Sequence, residues 1–235
     1  MLRNELAQSD GLRQRNKQDK LARIEKAGRA LFASRGFDDT TTRAIAQRAG
    51  IGVGTLFLYF PEKKDLLIHL FHRDIATVEA DIFATLPNTA RLGVQLRHVF
   101  GKLYAYYARD LHLSRVFLQE LLFLDAPRRA RVTAFTADFL QRIAALGDAA
   151  RQRGELSSAT DARQLAYAAF GLYCFTLINW VGGILPSLAV AQVQLDASLA
   201  LLLAEHPGAA SRPGRVRRTT TTARARKRRV TKGRA

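Results

Sequence analysis

Residues 24–67 read IEKAGRALFASRGFDDTTTRAIAQRAGIGVGTLFLYFPEKKDLL, and this stretch decides the fold. Leu21, Ile24, Ala27, Leu31 and Phe32 recur at steps of three and four, which puts them on one face of a helix predicted over Lys17–Arg35. Gly36 stands where a helix commonly stops, because glycine enters the left-handed conformation without steric cost, and Phe37 is expected to fold back as a core anchor. Thr40-Thr41-Thr42 offers hydroxyl caps for a second helix over Thr42–Ala49, with Ile45, Ala46 and Ala49 facing inward. Gly50-Ile51-Gly52 makes a short turn, and a third helix over Val53–Phe60 ends at Pro61. Two short helices joined by a three-residue glycine-containing turn form a helix-turn-helix pattern.

Outward from that stretch the spacing stays helical. A long fourth helix is predicted from Glu62 to about Ala84, with Leu66, Leu67, Leu70, Phe71, Ile75, Val78 and Ile82 on its buried side. Further helices are predicted at 90–111, 114–125, 128–153, 161–184 and 188–205, bounded by Asp110, Pro127, Gly154 and Pro186. No alternation of period two persists for a strand's length, so the fold class is all-α. From His206 the chain turns to Pro, Gly, Thr and Arg without large apolar residues and reads as a disordered tail.

Composition narrows the function. The chain has 235 residues, 48% of them hydrophobic, which excludes a disordered polar chain as the whole and leaves ample length for a core. A single cysteine, Cys174, excludes an internal disulfide framework and a Cys-rich zinc module. The opening residues are polar from Arg3 and lack the apolar core of an export signal, so a cytoplasmic, nucleoid-associated protein is expected. The formal net charge is +17, and it is concentrated at the ends. Residues 1–60 hold 11 Lys/Arg against 6 Asp/Glu, residues 61–205 hold 15 against 14, and residues 206–235 hold 11 against none. Both ends are built to meet a polyanion, with nucleic acid the leading candidate and an anionic membrane the other. The uncharged run Gln164–Leu195 is long enough to cross a bilayer, but a span there would put the basic tail on the opposite side from the helix-turn-helix, against the positive-inside tendency. No membrane partner is therefore expected. No Ser-His-Asp order, phosphate loop, paired catalytic carboxylates or nucleotide fingerprint appears, so neither enzymatic activity nor a cofactor is expected. His69 and His72 have a helical metal-binding spacing but no evident third ligand, so no metal site is assigned, and Cys174 reads as a buried, inert thiol.

Residues 24–67 resemble the DNA-binding domain of TetR-type (tetracycline-repressor-like) transcriptional regulators. The resemblance rests on Ala27 to Phe32, Arg35-Gly36-Phe37, Thr41-Thr42, Ile45-Ala46, Ala49-Gly50 and Gly54-Thr55-Leu56 through Tyr59-Phe60 to Lys63. It implies a homodimeric repressor whose third helix enters the major groove, whose last two long helices pair across the dimer, and whose helical bundle holds a small hydrophobic effector. The implied division is a flexible basic arm over 1–17, a three-helix DNA-binding domain over 18–65, an effector-binding and dimerisation domain over 66–205, and a basic tail over 206–235. So short a reading helix needs a second copy one helical turn away for useful specificity, which makes the operator a pseudo-palindrome.

Thr41, Thr42 and Thr55 are short hydroxyls at helix starts suited to phosphate, and each is equally readable as a helix cap. Lys63 matches the family's phosphate-contacting lysine, Lys64 stands beside it, and Arg43 suits a guanine edge or a phosphate. The reading surface is completed by Gly52, Val53, Phe57, Leu58 and Tyr59, where the family often has Ser-Lys at the first two positions and tyrosine at Phe57. Apolar contact with thymine methyls thus becomes a reading mode. Effector-pocket candidates are Tyr104, Tyr107, Phe117, Phe123, Phe139, Phe170, Tyr173 and Trp180, with Asn179 and Thr176 as polar groups able to orient a ligand; plain core packing is the alternative for each. In the tail, Arg224, Arg226, Lys227, Arg228 and Arg229 suit phosphates or a narrow minor groove, or else serve only solubility. The rival to a repressor is an architectural DNA-coating protein that binds broadly through this tail.

Overall fold

The computed structural model describes residues 2–122 and 124–204. Among them run nine helices: α1 (Leu2–Arg35), α2 (Thr42–Ala49), α3 (Val53–Tyr59), α4 (Lys63–Ala84), α5 (Leu92–Tyr107), α6 (Leu111–Leu122), α7 (Ala126–Gln152), α8 (Ala162–Val181) and α9 (Leu188–Leu203). The described residues contain no strand. The basic tail with Arg224, Arg226, Lys227, Arg228 and Arg229, and the aromatic Phe123, lie outside the described residues.

Local signals place most boundaries. Thr41 caps α2 by accepting a hydrogen bond from Ala44 N at 3.1 Å. Gly50 closes α2 at φ 63°, and its N–H reaches back to the carbonyls of Ala46 and Gln47; a residue with a Cβ would be strained there. Glu62 and Asp65 form a reciprocal capping box at the start of α4, so Glu62, read from sequence as the first helical residue, is the cap. Asp125, Asp161 and Ser187 cap α7, α8 and α9 with their side-chain oxygens.

Helix α5 ends at Tyr107 rather than at 111, α6 runs over Leu111–Leu122 rather than 114–125, and α1 differs most in extent. The sequence reads a flexible arm over 1–17 and a helix from Lys17, whereas α1 runs back to Leu2. Nothing in 2–16 opposes a helix except Gly11, at a cost of about 1 kcal/mol, and an already nucleated helix extends readily through Leu, Gln, Arg and Lys.

The packing has a small three-helix head and a larger bundle. In the head, Ile24, Ala27, Leu31 and Phe32 of α1 meet Ile45, Ala46 and Ala49 of α2, Leu56 of α3 and Phe37, all buried. In the bundle, α8 packs extensively against both α7 and α9, and α5 lies against α4, α7 and α9. Helix α4 belongs to both: Leu66, Leu67 and Leu70 are buried near the head, and Ile75 and Ile82 in the bundle. Helix α8 is long and apolar enough to cross a membrane by composition, but 44% of that window is buried inside the fold.

Candidate nucleic-acid interface and effector cavity

The outer face of the helix-turn-helix carries most of the residues singled out for DNA. Thr41, Arg43, Gly52, Phe57 and Leu58 are exposed, while Thr42, Val53, Thr55, Tyr59, Lys63 and Lys64 are half-buried. Leu58 is 86% exposed, although its neighbour Leu56 is 1% exposed in the core. A leucine so completely in water on the second helix of a helix-turn-helix is apolar surface without an internal use, of the kind that contacts a thymine methyl. Val53 instead packs against the core, and the Tyr59 hydroxyl donates to the Lys17 carbonyl at 3.2 Å, tying α3 to α1.

Lys63 has a structural engagement that sequence did not indicate. Its Nζ donates to the carbonyls of Phe37 at 2.6 Å and Asp38 at 3.2 Å, and lies 4.2 Å from the centre of the Phe37 ring. This lysine fastens the start of α4 to the loop between α1 and α2. Lys64 pairs with Glu62 at 2.8 Å.

Three further charged clusters tie α4 to its neighbours. Glu25 of α1, 12% exposed at its side chain, meets His69 Nε2 at 2.7 Å and Arg73 Nη1 at 2.8 Å. Burial alone would raise the Glu25 pKa, but the hydrogen bonds from His69 and Arg73 outweigh it and hold the carboxyl below its ordinary range. Asp74 accepts from Arg29 of α1 at 2.6 Å and from the Tyr106 hydroxyl of α5 at 3.3 Å. At the start of α7, Arg128 forks onto Asp65, with Nε to Oδ1 at 2.6 Å and Nη2 to Oδ2 at 2.9 Å. Arg128 also reaches Asp125 at 2.6 Å and Glu62 at 3.3 Å. The Arg128 and Asp65 side chains are 12% and 10% exposed, so this pair is partly shielded from water, and the Asp65 hydrogen bonds raise the guanidinium pKa above its usual value.

A cavity of about 130 Å³ lies within the bundle, walled by α4, α5, α6, α7 and α8. Five of the aromatic candidates line it: Tyr107, Phe117, Phe139, Phe170 and Tyr173. Tyr104 and Trp180 are buried beside it rather than in its wall; the Tyr104 hydroxyl pairs with Thr176, and the Trp180 ring meets the Tyr104 ring edge-on at 5.8 Å. Thr176 also donates to its own helix, at the carbonyls of Leu172 and Tyr173, both at 3.0 Å. Asn179 donates to the Phe175 carbonyl at 2.7 Å and does not reach the cavity.

The pocket candidates read from sequence leave out most of the α4 and α7 walls, namely His72, Ile75 and Glu79 on one and Val132, Phe135, Thr136 and Phe139 on the other, of which Phe139 alone is among those candidates. A signal was present, because each set recurs at helical steps on one face. Glu79 is 9% exposed; burial lifts its pKa to about 7, the Arg142 charge opposing and the Asp138 charge assisting the rise. Cys174 also lines the cavity, and burial pushes its thiol up to about 12, leaving it little thiolate character. No group of three His, Cys, Asp or Glu able to hold a metal gathers among the described residues.

Helices α8 and α9 turn a second apolar surface outward. Tyr167, Phe175 and Ile178 of α8 are 70%, 64% and 44% exposed, and Val193 and Leu201 of α9 are 69% and 74% exposed. Arg163 and Asp196 are the only charged residues in these two helices.

Comparison with known proteins agrees with this layout. Residues 24–70 match the family model of bacterial regulatory proteins, tetR family. The fatty acid metabolism regulator protein of Bacillus subtilis is 26% identical over 71% of this chain and 86% of its own length. The transcriptional repressor KstR of Mycobacterium tuberculosis is 30% identical over 53% of this chain; the match spans 54% of that protein, about half its length. Among solved structures, Thermus thermophilus FadR, a TetR-family repressor in complex with lauroyl-CoA, superposes with a TM-score of 0.65 at 27% identity, covering 77% of this chain and 92% of that one. Bacillus subtilis FadR in complex with stearoyl-CoA gives 0.60 at 26% identity, covering 78% and 98%. With its helix-turn-helix head, its helical bundle and these relatives, the chain belongs to the TetR family of bacterial transcriptional regulators.

Proposed function

We propose that the protein is a homodimeric, sequence-specific repressor that an acyl-CoA-class effector releases from a pseudo-palindromic operator. Helices α1–α3 form the reading head, α4–α9 form the sensing and dimerisation part, and the basic tail adds phosphate grip. Exposed Arg43, Thr41, Phe57 and Leu58 supply the groove surface, with Thr42, Thr55 and Lys64 at its edge. The largely apolar outward faces of α8 and α9 supply the seam between subunits, since an apolar stripe of this extent on two adjacent helices is otherwise costly to leave in water. The acyl-CoA class comes from the FadR relatives, and the aromatic cavity suits the apolar part of such a molecule.

The observation that carries this reading is the path from the cavity to the head. Residues 128, 132, 135, 136 and 139 share one face of α7; the last four line the cavity and the first grips Asp65. Two residues before Asp65, Lys63 holds the carbonyls of Phe37 and Asp38 in the head. An occupant that shifts α7 thus moves the start of α4, and with it the spacing of two reading heads. A difference of about 1–3 kcal/mol in effector affinity between the two spacings changes operator affinity about 5–150-fold.

The test is operator release. Duplexes selected from a random pool are bound to the full chain and titrated with acyl-CoAs of increasing chain length. Loss of operator affinity with a saturable dependence on effector supports the proposal; binding that no acyl-CoA alters refutes the effector part of it.

A further inference from the structure

Two polar groups of the cavity, Glu79 and Tyr173, lie at one level of the bundle. Phe71 of α4 packs on Tyr106 and Tyr107 of α5, and the Ile82 carbonyl accepts from His98 Nε2 at 3.1 Å. These two pairings run antiparallel, so Glu79 falls level with Phe100, and Phe100 stacks on Tyr173 at 4.8 Å. Tyr173 is 3% exposed and lines the cavity, and its Oη makes no hydrogen bond. A buried hydroxyl without a partner is uncommon in native proteins and asks for one. His72, stacked on Phe135, lies seven residues from Glu79 along α4, about 10 Å away at the helical rise. No Lys or Arg lines the cavity.

We infer that the cavity takes the apolar part of a molecule together with one uncharged hydrogen-bond acceptor, the carbonyl of a thioester or ester, seated on Tyr173 Oη and the Glu79 carboxyl. This rests on the reading of the cavity as the effector site and specifies its chemistry. A carboxylate is rejected, because it would be buried facing Glu79 with no lysine or arginine in the lining. A carbonyl oxygen satisfies the Tyr173 hydroxyl and, while Glu79 is protonated, takes a second bond from its O–H. Arg142 and Asp138 of α7 act on Glu79, which shares the cavity with Tyr173 and Cys174 of α8, Tyr107 of α5 and His72 of its own helix; the lining residues of α6 are uncharged. Since burial places the Glu79 pKa at about 7, affinity for an acceptor falls as pH rises from 6 to 8.5.

The chain's one tryptophan, Trp180, reports occupancy without DNA, because its ring meets Tyr104 and Tyr104 meets Tyr173 at 5.2 Å. The full chain is titrated with octanoyl-CoA, methyl octanoate, octanoate and octylamine. The ester and the thioester are expected to bind at least about tenfold more tightly than octanoate or octylamine at pH 8. Comparing the ester with the thioester separates a free carbonyl compound from an acyl-CoA as the natural source. Tyr173→Phe is expected to weaken both acceptors about five- to tenfold. Glu79→Gln keeps a donor and abolishes the decline between pH 6 and 8.5. Equal binding of octanoate, tighter binding of octylamine, indifference to Tyr173→Phe together with an unchanged pH profile in Glu79→Gln, or no binding of any probe overturns the assignment. If the ester binds as described while operator affinity stays fixed, the effector reading fails and the chemistry of the cavity stands. If octanoate releases operator as readily as the ester, the chemistry fails and the effector reading stands.

Discussion

Replacing Arg128 by methionine keeps most of the apolar stem and removes the guanidinium that joins α7 to the start of α4. The Asp65 fork dominates what is lost, since Asp65 is 10% exposed, whereas Glu62 and Asp125 are each 51% exposed. Hydrogen bonds to a charged partner contribute about 1.5–3 kcal/mol when shielded, and exposed ion pairs under about 1. The loss for this partly shielded pair is therefore about 1–2 kcal/mol, which in a chain of this size lowers Tm by about 3–6 °C. Asp65→Asn keeps an oxygen for the Glu62 N–H that Asp65 accepts at 2.9 Å but removes the charge facing Arg128. Thermal or urea unfolding of wild type, each single variant and the double variant then isolates the pair, with a coupling of about 1 kcal/mol expected. The functional consequence is larger than the stability cost. In Arg128→Met, effector binding read by Trp180 fluorescence persists, while the effector-induced drop in operator affinity shrinks below about threefold. Additive single effects, or undiminished release of operator by effector in Arg128→Met, refute the role given to this residue.

Other predictions follow from the same contacts. Between about pH 4.5 and 7, native Glu79 holds a proton that the unfolded chain has lost, so its contribution makes stability fall as pH rises through that window. Glu79→Gln is accordingly expected to raise stability at pH 8 by about 1–2 kcal/mol, allowing for solvent near the carboxyl, and to change little at pH 4.5, as measured by unfolding at the two pH values. The double variant Phe175→Glu with Val193→Glu puts charge on the outward faces of α8 and α9 and is expected to sediment as a monomer with operator affinity reduced at least about 100-fold. Removal of residues 206–235 takes away 11 basic residues. It is expected to flatten the slope of log affinity against log salt by up to about 10 per subunit while leaving preference for the selected duplex.

Most of the helix-turn-helix was readable in the sequence because its punctuation is local. Thr41 caps within three residues, Gly50 supplies a positive φ, and Ile45, Ala46 and Ala49 face inward at helical spacing. The bundle's helices were placed for the same reason, with proline and glycine breaks between apolar periods. What escaped were partnerships set by tertiary distance. Lys63 reads as a free phosphate grip until Phe37 and Asp38 are brought to it from 26 and 25 residues away. Arg128 sits in a basic run, APRRAR, that resembles a solvated surface, and only the fold puts Asp65 against it across 63 residues. Glu79 looks like an ordinary surface glutamate of a long helix until Phe139 and Phe170 close around its face. Conversely, Tyr104, Trp180 and Asn179 had the right composition for a pocket but spend their polar groups or rings on neighbours in the core and on their own helix.

In the proposed function, a molecule in the bundle switches a dimer between operator-bound and free states. The most direct measurement is the affinity of the full chain for a duplex selected from random sequence and for its scrambled control, at several salt concentrations, with and without saturating octanoyl-CoA or lauroyl-CoA. The expected result is a preference of about 10³-fold or more for the selected palindrome, two subunits per duplex, and an about 5–150-fold loss of that affinity with effector. Equal affinity for every duplex at every salt concentration, unaltered by either acyl-CoA, would contradict it and leave an architectural DNA-coating protein in its place.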